Sequence, residues 1–207
     1  MTHPLAAISV GQRRRAFVPF LAFTLLVMAV LAGIDRRITT TAVPRGIVSF
    51  EVAGDPATAQ RMMDSWDARA RLHVAFSNGI DYLFMVLYST TIALACLWAA
   101  SVYARYSSVL AAAGVWLAWG QWLAALLDAT ENVALTVMIF GGVRAPWPAL
   151  AWWCAVPKFA LIVAGLLYAL GALLQRAVRP AGSRATAAPV LPSARAARDT
   201  RRYGAST

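Results

Sequence analysis

Charge is scarce in this sequence: only 14% of its 207 residues are Asp, Glu, Lys or Arg, while 60% are hydrophobic. Soluble domains carry roughly 25% charged residues and about 45–50% apolar ones, so a water-soluble globular domain is excluded. Cysteine is nearly absent. Cys96 and Cys154 lie in different apolar segments with no CxxC or metal-type spacing, so a disulfide framework or a thiolate zinc site is not expected. They read as small buried hydrophobes. HExxH, GxSxG, Walker and GxGxxG patterns are all missing, and neither a cofactor nor a metal is expected. The apolar runs are continuous instead of alternating, which argues against a β-barrel. A basic domain interleaved with aromatics is also lacking, so nucleic acid is not an expected partner.

What is present is length in the apolar runs. Mean hydropathy is +0.61, and several runs can cross about 30 Å of hydrocarbon at about 1.5 Å per residue. The fold class is an all-α membrane protein, a bundle of four transmembrane helices. The expected spans are 17–34, 79–103, 109–140 and 147–174, with residues 35–78 joining the first two. The first run follows Arg13, Arg14 and Arg15 and is longer than the roughly 7–15 residues of a signal-peptide core, so it reads as a retained anchor, with cleavage after the small residues Ala32 and Gly33 as the alternative. Pro19 would then fall in a first helical turn, where it costs little.

Net charge is +10, and the basic residues gather at the two ends of the chain. Residues 175–207 carry seven arginines against Asp199, a balance of +6, and hold too little apolar surface to fold alone. By the positive-inside rule both this tail and the segment 1–16 are expected in the cytoplasm, in contact with anionic lipid. An even number of spans agrees with that. The location implied is a bacterial inner membrane, with 35–78 on the periplasmic side.

That connecting region has six arginines against five acids, a balance that suits translocation. Gly46 to Val52 alternates enough to suggest a short extended segment. Asp55-Pro56 offers an N-cap followed by proline at the first helical position. From there Ala59, Met62, Met63, Trp66 and Ala70 recur at three- and four-residue steps, an amphipathic helix over 55–72 with an Asp67–Arg71 pair on its wet face. It is expected to pack on the outer mouth of the bundle, with a mobile lid as the alternative. The second span is expected to continue from it through Asn78-Gly79.

The third span carries Asp128, Glu131 and Asn132 towards its far end, before apolar sequence resumes to Phe140, and the fourth holds Lys158. Asp128 lies 20 residues past Ser108, about 30 Å along the axis, at the outer interface. Lys158 is 11 residues past Trp147, about 16 Å in. Gln121, Asp128, Asn132 and Leu135 share one helical face, with Glu131 about 60° away. Asp81 begins the second span, and Tyr88 follows on its face. An unpaired lysine near mid-membrane costs on the order of 3 kcal/mol. A carboxylate partner is therefore expected, Asp128 or Glu131. Pro157 frees the carbonyl of Trp153 and could offer the ammonium a further acceptor. The simpler readings are a wetted helix end for Asp81, a staple between two helices for Lys158, packing for Trp98, Trp116, Trp119 and Trp122, and a structural role for His73.

Several stretches resemble a pattern of small bacterial four-span inner-membrane proteins: Gly46 to Glu51, Asp64-Ser65-Trp66, Asp81-Tyr82-Leu83-Phe84, Asp128 to Asn132 and Lys158-Phe159-Ala160-Leu161. The resemblance implies a four-helix membrane protein and carries no catalytic residue with it. The functional expectation is an outward-facing polar pocket made by Asp81, Tyr88, Gln121, Asp128, Glu131, Asn132 and Lys158. It would bind a small ligand, a lipid head group or a partner helix, from another membrane protein or a second copy. Two other classes stay open. One is a membrane enzyme using a carboxylate and Lys158 on a lipid-borne substrate; the other is a proton-coupled transporter or a structural assembly subunit.

Overall fold

Four helices long and apolar enough to cross a membrane make up most of the chain. The computed structural model describes residues 2–178, and the basic tail expected over 175–207 lies almost wholly outside them. Contacts divide the chain into two units, Met1–Leu174 and Gln175–Thr207, and only the last turn of α7 belongs to the described part of the second. Among the described residues there is no strand.

The N-terminal segment is more ordered than its composition suggests. A single turn, α1 (Pro4–Ala7), is capped by His3, whose Nδ1 accepts from the Leu5 amide. His3 is buried between the rings of Trp119 and Trp122. Helix α2 (Val10–Asp35) starts seven residues before the apolar run, because Ser9 and Gln12 form a reciprocal capping box. Pro19 therefore sits inside the helix, not in its first turn.

The connection from α2 to α5 differs most from the sequence expectation. Residues 46–52 are not extended: Ile47–Glu51 form a one-turn helix, α3. The reason is local. Gly46 takes a positive φ of 54°, the Asp35 side chain fills the space where a Cβ would stand, and its Oδ1 accepts from the Ile47 amide at 2.7 Å. Ser49 Oγ accepts from the Arg45 amide at 2.9 Å. The turn drives Phe50 and Glu51 inward together.

Helix α4 (Pro56–Asp64) begins at Asp55 as its sequence indicates, with the side chain accepting from the Thr58 amide. It ends well short of Leu72. Trp66 leaves the helix and is buried, its Nε1 donating to the Ile38 carbonyl at 2.6 Å and its ring meeting Phe50 edge-on. Asp67 then caps α5 (Ala68–Tyr103) by accepting from the Ala70 amide, and Arg71 turns back to the carbonyls of Trp66 and Met63. The Asp67–Arg71 pair gives way to these two sets of backbone bonds. Backbone groups at a helix start have no partner inside the helix, so a carboxylate gains more there than on an exposed arginine.

Helix α5 is continuous through Asn78-Gly79 and packs against α2 and α6 (Ser108–Gly141). Helix α7 (Trp147–Val178) carries Pro157 within it. Two apolar clusters form the interior. One joins Ile38, Phe50, Met63, Trp66 and Val74 to Leu135, Met138 and Ala151, so residues 38–66 close one end of the bundle. The other, around Met85, Tyr88, Ile92, Cys96 and Ala118, fills the middle. Asp81 of α5, Asp128 and Glu131 of α6 and Lys158 of α7 fall between them.

Candidate functional site

Lys158 is the only lysine in the chain. Its position eleven residues into α7 places it at the level of Asp128 and Glu131 on α6, and α3 brings Glu51 over the same point. The ammonium lies 2.9 Å from Asp128 Oδ1, 2.8 Å from Glu131 Oε2 and 3.6 Å from Glu51 Oε2. Lys158 is 4% exposed and Glu131 fully buried, so the group is dry. The contact with Asp128 is a well-directed hydrogen bond; that with Glu131 is an ion pair in which neither carboxylate oxygen accepts an aligned hydrogen bond. The ring of Phe159 lies 4.7 Å from the ammonium and gives it a further electrostatic contact. The ammonium is thus held by carboxylates, and not by the carbonyl that Pro157 frees at Trp153.

A second layer orients the acids. Tyr88 donates to Asp128 Oδ2 at 3.0 Å, so the two oxygens of Asp128 are divided between α5 and α7. Asn132 donates to Asp81 Oδ2 at 2.7 Å. Asn78 donates to the Asn132 carbonyl and to Thr136 Oγ1, at 3.0 and 2.7 Å. Asp81, Tyr88, Asp128, Glu131, Asn132 and Lys158 therefore belong to one connected polar group.

Gln121 does not. Its Nε2 donates to the Leu161 carbonyl at 2.8 Å, and it packs against Gly165, where an added Cβ would meet Nε2 at 2.5 Å. It ties α6 to α7 two turns from the cluster, a distance of about 10 Å along the axis from Asp128. A shared helical face was the reason for grouping it with Asp128; a face extends along the whole helix and does not fix height. Glu51, Asn78 and Thr136 complete the group and were not singled out from the sequence. The usable signal for Glu51 was an acid directly after Phe50 in a segment of apolar residues, which is hard to reconcile with a solvated loop.

Beside the cluster lies a partly open cavity of about 170 Å³, between α2 and α5 and beneath α3. Met28, Leu31 and Ala32 of α2, Ile47 of α3 and Phe84 of α5 form its apolar wall; Asp35, Glu51, Ser77, Asn78, Asp81 and Asn132 supply the polar one. Lys158 does not line it. Among the described residues no group of three or more His, Cys, Asp or Glu side chains is placed to hold a metal ion.

Removing the base should expose the cost of the acids. Taking one partner out of a buried ion pair costs about 3–5 kcal/mol, because the remaining charge loses its compensation. Lys158→Met is expected to destabilise the folded protein in mixed micelles by that amount, and Asp128→Asn in the same chain should cost clearly less than the sum of the two changes. Additive losses would mean that the two groups do not share an interaction.

Glu51 lies outside the spans, and burial pushes its carboxyl above the usual carboxylate range, with the Lys158 ammonium opposing that in part. The folded chain therefore holds this proton at a pH where the unfolded chain has lost it. It follows that stability falls as pH rises from the ordinary glutamate range towards the raised value. Thermal unfolding against pH should show a smaller fall in Glu51→Gln than in the unaltered protein; equal slopes would contradict the assignment.

Compared with known proteins, the chain matches no family model, no curated protein and no solved structure, so the site is argued from its own geometry alone.

Proposed function

We propose that the protein is a four-span membrane protein whose polar cluster forms the floor of a binding pocket for a small polar group, either a small molecule or a lipid head group. The observation that carries this reading is the cavity itself. Its wall includes Asn78, whose buried Oδ1 has no hydrogen-bond partner among the described residues, and Glu51, whose Oε2 has an ion pair with Lys158 at 3.6 Å but no hydrogen bond. A cluster that served only to staple helices would be expected to close on itself, since buried polar atoms are nearly always paired.

The arginines before α2 and in the tail favour a cytoplasmic location for both termini. The end of the bundle closed by residues 38–66, and the pocket with it, would then face the outside of an inner membrane. Acid–base catalysis by Lys158 is less well supported than binding. Its ammonium contacts three carboxylates and a ring and takes no part in the cavity wall, whereas a general acid must come within hydrogen-bond reach of the reacting atom.

The test uses the full chain in nanodiscs made with total lipid extract from the expressing cells, examined by native mass spectrometry. The expected result is a specific bound molecule that survives dilution and is lost in Ala32→Phe, which fills the cavity from α2 without replacing a polar side chain. No bound species, or an equal one in the folded Ala32→Phe protein, would contradict the reading.

A further inference from the structure

We propose that the cavity takes the ammonium end of a primary amine, with Glu51, Asn78 and Asp81 as its acceptors. This deepens the binding reading above and rests on it.

The polar wall of the cavity is acidic. Asp35, Glu51 and Asp81 line the cavity, and among the described residues no basic side chain does. The chain's single lysine stands behind the wall, already shared among Asp128, Glu131 and Glu51. Acceptors also outnumber donors. The Nδ2 group of Asn78 is committed to the Asn132 carbonyl and Thr136, while its Oδ1 accepts nothing although the residue is 4% exposed. Glu51, 7% exposed, turns its Oε2 to the Lys158 ammonium at 3.6 Å without an aligned hydrogen bond. Asp81 accepts from Asn132 through Oδ2 alone. Asp35 Oδ1 is already spent on the Ile47 amide.

A guest that satisfies this wall must bring both positive charge and several N–H donors, because a buried acceptor without a donor is costly and a charged partner makes the stronger bond. A primary ammonium, with three donors on a compact charge, meets both needs. A quaternary ammonium brings the charge without donors. A hydroxyl-rich head group brings donors without the charge. The apolar side of the cavity suits the methylenes that carry the amine, and Met28, which lines it, is 47% exposed on the outer surface of α2. The amine can therefore arrive sideways as the head of an aminolipid or from solution as a free alkylamine.

The experiment places the full chain in phosphatidylcholine nanodiscs doped with phosphatidylethanolamine or with phosphatidylglycerol, with and without ethanolamine in the buffer, and counts retained molecules by native mass spectrometry. Retention of phosphatidylethanolamine about tenfold above the other two is expected, the effect of losing one charged hydrogen bond. It should fall about tenfold in Asp81→Asn. Retained lipid that ethanolamine does not displace assigns the amine to a lipid; ethanolamine bound in its place assigns a free amine; either supports the proposal. Phosphatidylcholine or phosphatidylglycerol held as well as phosphatidylethanolamine would overturn the amine assignment and leave the binding reading intact. Failure of every probe, while total extract still yields a bound molecule, would do the same. Failure of total extract as well would remove both. If Asp81→Asn does not fold, Ala32→Phe decides: undiminished phosphatidylethanolamine in that folded variant overturns the proposal.

Discussion

A buried ammonium in contact with three carboxylates sets the terms for the rest of this protein. In hydrocarbon a lone lysine costs on the order of 3 kcal/mol or more, and a lone carboxylate is similarly unwelcome. Neither is tolerable alone, and each makes the other possible. The pairing also dictates geometry, since α7 must present Lys158 to the face of α6 that carries Asp128 and Glu131. Tyr88 extends the constraint to α5 through the second oxygen of Asp128. Three helices are thereby held in register by one contact set, to which Gln121 adds a second tie between α6 and α7.

The segment between α2 and α5 serves the same centre. It is built as a cap: one turn of helix, a short second helix and an inserted tryptophan, closed on the ends of α5, α6 and α7 by the cluster around Phe50, Trp66 and Leu135. Its tight point is Gly46 against Asp35, which orients α3 so that Phe50 faces the apolar cluster and Glu51 faces the lysine. A single turn thus supplies both a packing anchor and the third acid. The cavity arises where α2 stands away from α5 beneath that turn, leaving acceptors on one side and hydrocarbon side chains on the other.

Much of the architecture was legible in the sequence because hydrocarbon thickness leaves few choices. Four long apolar runs indicated four spans, and lipid's penalty on charge indicated that Asp128, Glu131 and Lys158 should turn inward and meet. Helix starts were legible where a side chain announces them, as Asp55-Pro56 does. The start of α2 was hidden because its capping box lies outside the apolar run, at Ser9 and Gln12. The α3 turn was misread because a period of two and a period of three and a half look alike over five residues, and the deciding contact is with Asp35, twelve residues away. Gln121 was placed in the cluster by helical phase alone, which is blind to depth. Glu51 was counted as one loop charge among several, since nothing local reveals that the loop folds inward.

The lysine's uniqueness allows the central contact to be measured without ambiguity. With ¹⁵N placed on the side-chain nitrogen of lysine and ¹³C on the side-chain carboxyl of aspartate, the folded protein in lipid bilayers has one nitrogen reporter. Dipolar recoupling by solid-state NMR is expected to give the strong dephasing of direct contact, in keeping with the 2.9 Å separation from Asp128, and to lose it in Asp128→Asn. A lysine nitrogen that shows no aspartate carboxyl in contact, in a protein whose helices are intact, would contradict the account.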